Sequence, residues 1–129
     1  MNLLVDENLP PRLAHCLAAL FANEHQVVSI AEKFGRGTKD LDWIAALGKE
    51  GRWSVLTADT RIARNKIERG AFLSNNLIGF VLSSGLRKKP LHIYTARILQ
   101  LWPNIEQQSL IASRGLFELG ERSTRLKGL

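Results

Sequence analysis

The pattern that most constrains this chain occurs twice: a short apolar run stops at an aspartate, and a helix start follows. The first run, residues 3–5, is followed by Asp6, and the second, residues 55–57, leads to Asp59. Aliphatic and β-branched residues in so short a run favour buried strands. If the two strands lie parallel in one sheet, their carboxyl ends meet at one edge, where open α/β sheets bind their ligands. The pattern therefore predicts an acidic site at that edge.

Strand and helix patterns alternate along the whole chain. Strands are predicted at residues 3–5, 26–30, 55–57, 77–82 and 115–119, and helices at 10–22, 40–50, 61–70 and 90–102. Pro103 is expected to stop the last helix, residues 105–112 fit helix and strand equally, and the tail from Glu121 is expected to be loose. This order implies right-handed crossovers and helices on both faces of a sheet. We predict a three-layer α/β/α fold with a mainly parallel sheet of four or five strands.

Positive charge is concentrated in the last third of the chain. The 129 residues are expected to form one domain, with an acidic-site core at about 1–85 and a basic helix, strand and tail at 86–129. Residues 1–86 hold ten Lys/Arg and nine Asp/Glu, whereas 87–129 hold eight and three. A basic part beside an acidic site suggests a polyanionic partner, the alternative being a solvated surface.

Several classes of protein do not fit the sequence. No apolar run approaches the ~20 residues of a membrane span, and the chain starts directly on a strand pattern, so neither a membrane contact nor a signal peptide is expected. The lone Cys16 suits a reducing cytoplasm. The three histidines lack zinc-ligand spacing, and no phosphate-binding glycine loop is present.

Three carboxylate positions are expected to converge at the predicted edge. Asp6 and Asp59 follow strands, and Asp40 or Asp42 begins the helix at 40–50. Clustered carboxylates repel one another unless a cation is present, and hard oxygen ligands suit Mg²⁺ or Mn²⁺. Such a site beside a basic surface fits the cleavage of a phosphodiester.

Three segments carry a resemblance to a known family: LLVDENLPPRLAHCL, GTKDLDWIAALGKEGRWSVLTADTRIARNKIERGAF and LIGFVLSS. They resemble the compact PIN-like domains of bacteria, similar to VapC-type toxins of toxin–antitoxin pairs, over roughly residues 1–85. The resemblance implies a cytoplasmic, metal-dependent endoribonuclease that uses Mg²⁺ or Mn²⁺. The partners it implies are RNA and a cognate antitoxin protein, and a homodimer is compatible with it.

The same resemblance assigns residues to the site. Asp6, Asp40 and Asp59 match the family's catalytic and metal-binding acids, with Asp42 as the alternative to Asp40 and with Glu7 and Glu68 as the nearest replacements for a further family acid that this chain lacks. Many relatives carry an acid two residues after the last aspartate, where this chain has Arg61. The residues expected to bind RNA are Arg61, Arg64, Lys66, Arg87, Lys88 and Lys89.

Two other functions stay open at this stage. Arg61 in place of an acid fits a catalytically inactive PIN-like RNA-binding module. A phosphoacceptor receiver domain would use Asp59 as the phosphorylated residue and Lys89-Pro90 as its lysine–proline pair. At most five residues separate Ser83 or Ser84 from that lysine, however, and a complete strand–helix unit should stand between them.

Overall fold

A computed structural model describes all 129 residues of the chain. The strands are β1 (Asn2–Val5), β2 (Gln26–Ser29), β3 (Trp53–Thr57), β4 (Ile78–Leu82), β5 (Gly115–Leu119) and β6 (Lys127–Gly128). The helices are α1 (Pro11–Leu20), α2 (Ile30–Phe34), α3 (Asp40–Glu50), α4 (Arg61–Arg64), α5 (Lys66–Ser74), α6 (Ser84–Arg87) and α7 (Leu91–Ile111). None of the helices has the length and apolar character that crossing a membrane requires.

All strands belong to one six-stranded sheet in the order β2-β1-β3-β4-β5-β6. The first five strands run parallel, and only β6 is antiparallel to its neighbour β5. The chain leaves β1 toward β2 on one side and returns to β3 on the other. The carboxyl ends of β1 and β3 therefore flank a switch point, the usual ligand crevice of such sheets.

Buried side chains form one layer on each face of the sheet. One layer joins α1 and α7 to the sheet through Leu17, Ile98 and Trp102, and the other joins α3 and α5 through Ile44 and Phe72. Fully burying one such side chain contributes about 1.5–3 kcal/mol, so the two layers hold the strand ends in place. The predicted three-layer α/β/α fold with a mainly parallel sheet is confirmed.

Several helices differ from the sequence prediction. Helix α2 lies where a loop after the second strand was expected, and Ser29 caps it by accepting the N–H of Glu32. The predicted helix at 61–70 is two helices, because the Asn65 side chain accepts the N–H groups of Ile67 and Glu68 and begins α5 there. Gly70 lies inside α5 and does not end it.

The C-terminal part is more regular than predicted. Helix α7 continues through Pro103, which was expected to stop it. Pro103 is exposed, whereas Trp102 and Ile105 on either side are buried, so packing outweighs the lost backbone hydrogen bond. The segment after β5 ends in β6 instead of lying loose. The division of the chain into a core at 1–85 and a basic part at 86–129 stays a prediction.

Candidate active site at the carboxyl edge

The carboxylate of Asp6 is held at the end of β1 by hydrogen bonds from the loop that follows β1 and from the last residue of β3. Its Oδ1 accepts the N–H of Glu7 at 2.8 Å, and its Oδ2 accepts the hydroxyl of Thr57 at 2.9 Å. Asp6 is only 8% exposed. Burial raises the pKa of Asp6, these hydrogen bonds oppose the rise, and the charges of Asp40 and Asp59 add to it. The three predicted acids therefore lie close enough to interact electrostatically.

Two residues that the sequence did not point to, Asn8 and Thr57, connect the two loops of the site. The Asn8 amide nitrogen donates to Thr57 Oγ1 at 3.2 Å and to Asp6 Oδ2 at 3.4 Å, and its Oδ1 accepts the N–H of Ala58 at 3.1 Å. Thr57 Oγ1 also accepts the N–H of Asp59 at 2.9 Å. The hydroxyl thus uses its donor and both acceptor sites. The run Asp-Glu-Asn after β1 was the only sequence signal for Asn8.

Asp59 is bound on all sides by Arg61. Its Oδ1 accepts the backbone N–H of Arg61 at 2.9 Å and Nε at 3.1 Å, and its Oδ2 accepts Nε at 2.9 Å and Nη2 at 2.6 Å. These bonds lower the pKa of Asp59 despite partial burial, and the charge of Arg87 lowers it further. A carboxylate has about four lone-pair sites. Arg61 therefore fills the hydrogen-bond acceptor sites of the Asp59 carboxylate.

Asp40 and Glu68 form the opposite side of the cluster. Asp40 begins α3, and its Oδ1 accepts the indole N–H of Trp43 at 3.1 Å. Glu68 lies in the first turn of α5, where partial burial and the nearby carboxylates of Asp40 and Asp59 raise its pKa while Arg61 lowers it. Glu68 thus adds a fourth acid to the cluster.

The remaining predicted acids lie apart from this arrangement. Glu7 and Asp42 are exposed, and their side chains make no hydrogen bond or ion pair. Unlike Asp6 and Asp40, these two acids make no side-chain contact in the site, although Glu7 directly follows Asp6 and Asp42 lies two residues after Asp40.

The predicted convergence of Asp6, Asp40 and Asp59 on one ion is not formed in this structure. No group of three or more His, Cys, Asp or Glu side chains is arranged to hold a metal ion. The structure shows one reason, which is that the Asp59 carboxylate is turned to Arg61. The donor chemistry nevertheless fits a hard divalent cation, because every candidate ligand is a carboxylate oxygen. Asp6, Asp40, Asp59 and Glu68 are the residues that would hold it, once Asp59 leaves Arg61.

The predicted RNA-binding residues lie in two exposed groups beside the acids. Arg61, Arg64 and Lys66 lie around the junction of α4 and α5. Arg87, Lys88 and Lys89 follow β4, where Arg87 donates to the carbonyl of Ala58 at 3.3 Å and Lys89 lies 3.8 Å from Glu121. The lysine that a receiver domain would need thus pairs with Glu121, while Arg61 and Arg87 are the cations beside Asp59.

A cavity of about 630 Å³ lies at the other edge of the sheet, near the amino ends of β1, β3 and β4. Its charged groups include Arg52 and Glu106, and none of the clustered acids lines it. Because the coupled carboxylates lie at the carboxyl edge, we assign the candidate site there and not to this cavity.

Comparison with known proteins identifies the family of this chain. A family model described as a PIN like domain matches residues 1–84, about two thirds of the chain, and contains all four clustered acids. Neither the curated proteins nor the solved structures contain a significant match. On the family match, the chain belongs to the PIN-like domain family, within the PIN-type nuclease superfamily.

Proposed function

We propose that this protein is a metal-dependent endoribonuclease that hydrolyses RNA phosphodiester bonds. The observation that carries the proposal is the buried carboxylate of Asp6, which Glu7 and Thr57 hold in place and whose pKa is raised by burial and, to a smaller extent, by the charges of Asp40 and Asp59. Buried like charges cost free energy and are typical of sites that bind a cation. Mg²⁺ or Mn²⁺, when bound, would lower the pKa of a water and offset charge on the phosphate.

Each residue near the site has a proposed part in this reaction. Asp6, Asp40 and Asp59 would hold the metal, with Glu68 as a fourth acid. Asn8 and Thr57 fix the orientation of Asp6 and the backbone before Asp59. Arg61 would exchange the Asp59 carboxylate for a phosphate oxygen of the RNA, since a guanidinium pairs with both groups in the same geometry.

For the biological role, the support is the resemblance of residues 1–85 to VapC-type toxins. We propose that the protein is the toxin of a type II toxin–antitoxin pair in the cytoplasm, with a cognate antitoxin protein as its partner. A homodimer is compatible with this role.

One observation favours a second function, an inactive RNA-binding module. Arg61 occupies the acceptor sites of Asp59, and no three acids are arranged around one ion. In such a module the guanidinium of Arg61 would stand permanently in the place of a metal ion beside Asp59, and the site would bind RNA without cutting it.

Cleavage of single-stranded RNA by purified protein in Mn²⁺, with and without EDTA, tests the first proposal. Activity should require the metal and disappear in Asp6→Asn and Asp59→Asn. Asp42→Asn is the matched control, because it makes the same chemical change at an exposed acid outside the cluster. Activity that survives in Asp59→Asn would refute the proposal, and metal-independent RNA binding without cleavage would support the module.

A further inference from the structure

We propose that the C-terminal segment, residues 120–127, extends the RNA-binding surface beyond the acidic site and that Arg122 and Arg125 contact the phosphate backbone. This inference rests on the proposed function, because it names where the substrate of that site runs. The segment lies outside the part of the chain that the family model matches, residues 1–84. The proposed RNA contact therefore belongs to the C-terminal part of this chain, outside the matched residues.

One buried residue fixes the backbone conformation of this segment. Arg97 of α7 is 9% exposed, and its Nε donates to the carbonyl of Gly120 at 2.8 Å while Nη2 donates to that of Ser123 at 2.7 Å. Nη1 donates to Gln100 at 2.7 Å. A buried guanidinium that binds two carbonyls fixes the backbone between them, so the residues that follow have a definite place.

A chain of contacts joins the segment to the acidic site. Arg87 binds the carbonyl of Ala58, next to Asp59, and lies at the end of α6. The carboxylate of Glu121 lies against Gly85 in the same short helix and 3.8 Å from Lys89. A backbone hydrogen bond also joins the start of α6 to the end of β5, since the N–H of Ser83 donates to the carbonyl of Leu119 at 2.9 Å.

The parallel sheet sets the distance between the two regions. Residue 120 follows β5 at the edge where Asp59 follows β3, and β4 lies between them. Two strand spacings amount to ~10 Å. One strand of a duplex advances ~3.4 Å per phosphate, so about three phosphates cover that distance there, and fewer suffice in an extended single strand. A single RNA strand thus reaches both regions.

The segment offers cations that have no partner in the protein. Arg122 and Arg125 are exposed, and neither side chain forms an ion pair or a hydrogen bond. Glu121, the acid of the segment, already lies beside Lys89. Arg125 and Lys127 line a cavity of about 420 Å³ with Glu118. The clustered carboxylates of the site repel a phosphate backbone, and unpaired cations farther along the RNA strand offset that repulsion.

The salt dependence of RNA binding tests the inference. Binding of a fluorescein-labelled single-stranded oligouridine in EDTA would be measured by anisotropy across a salt series for the wild type and for Arg122→Ala/Arg125→Ala. Each lost phosphate contact lowers the log–log slope by roughly 0.7 on a single strand, so the double variant should lose about 1.4. The matched control is Lys49→Ala/Arg114→Ala, which removes the same charge from exposed residues at the amino edge. Its slope should stay close to that of the wild type.

Equal slopes in the double variant and its control would overturn the inference. Cleavage assays of the same proteins keep the proposed function separate: metal-dependent cleavage with unchanged slopes leaves the function standing and removes the segment from the RNA path. Absence of both cleavage and salt-dependent binding would overturn the function as well.

Discussion

Arg61 and Asp59 form the most extensively hydrogen-bonded charge pair of the molecule, and they stand at the centre of the candidate site. We expect Arg61→Gln to bind Mn²⁺ more tightly than the wild type, by up to about five-fold, the range that exposed ion pairs allow. The reason is that the variant frees acceptor sites on Asp59 and removes a positive charge beside the metal. Isothermal titration would measure the affinities, with Arg64→Gln as a control because Arg64 is exposed on the same short helix and pairs with no acid. Equal affinities in all three proteins would show that Arg61 does not compete with the metal.

The buried carboxylate of Asp6 is expected to make stability depend on pH. Burial raises its pKa above the ordinary 3.8, so the folded chain binds this proton more tightly than the unfolded chain does. The resulting stabilisation is complete below pH 3.8 and is lost as the pH rises through the folded pKa. Asp6→Asn does not titrate, so in EDTA its Tm relative to the wild type should increase with pH across that window. Thermal melts on both sides of the window check this, and a difference independent of pH would argue against it.

At the scale of single residues, the sequence indicated the acids of the candidate site better than the residues that orient them. Asp6 and Asp59 were recognisable because each follows an apolar strand and strand ends share an edge. Asn8 and Thr57 were not, since their role depends on β1 and β3 being neighbours, which no local pattern states. The pairing of Arg61 with Asp59 was equally invisible, although the position of Arg61 beside the acid was foreseen.

Helix α7 shows how packing decides the extent of an element. Proline inside a helix generally lowers the free energy of unfolding by about 3 kcal/mol. Part of this loss is offset because proline also reduces the conformational entropy of the unfolded chain. We therefore expect Pro103→Ala to raise the free energy of unfolding by about 1–2 kcal/mol, since it restores an N–H that can bond to Leu99. Urea denaturation measures the change. A destabilised variant would mean that α7 depends on a bend at this residue.

The elements that sequence patterns missed are short and capped by side chains. Ser29 and Glu32 have the spacing of a capping box, a signal for α2 that the two glycines of the following loop obscured. Asn65 is a favourable cap in the middle of what reads as one helix. In both cases a single side chain sets the boundary, whereas α3 and β5 were found at their observed bounds because their apolar periodicity is complete.

At the scale of the whole molecule, Arg97 joins the last segment to the rest of the fold. We expect Arg97→Ala to lower the free energy of unfolding by about 2–4 kcal/mol, because two carbonyls lose a charged donor in a buried place. Hydrogen exchange should also become faster in residues 120–127 than elsewhere. Arg125→Ala is the control, as its side chain makes no bond in the protein. Uniform exchange in the Arg97 variant would show that the segment is held by other contacts.

The architecture was predictable from the sequence and the course of this last segment was not. Alternating strands and helices indicated a parallel sheet, and the topology confirms it. The segment reads as polar and basic, without periodicity, so composition favoured a loose tail. Its order comes from Arg97, which is more than twenty residues away in sequence.

The position of β5 has a consequence for how the protein is made. Every residue of β4 is buried, and β5 covers one of its edges. On the ribosome, β4 leaves the exit tunnel before β5 does, because residues 83–114 separate the two strands, and β4 is then outside for a time without this neighbour. During that time the nascent chain presents an apolar strand with open hydrogen-bonding groups, the kind of edge that pairs with other chains. The segment Ile78–Leu82 is thus where this protein is most exposed to co-translational aggregation and to capture by chaperones.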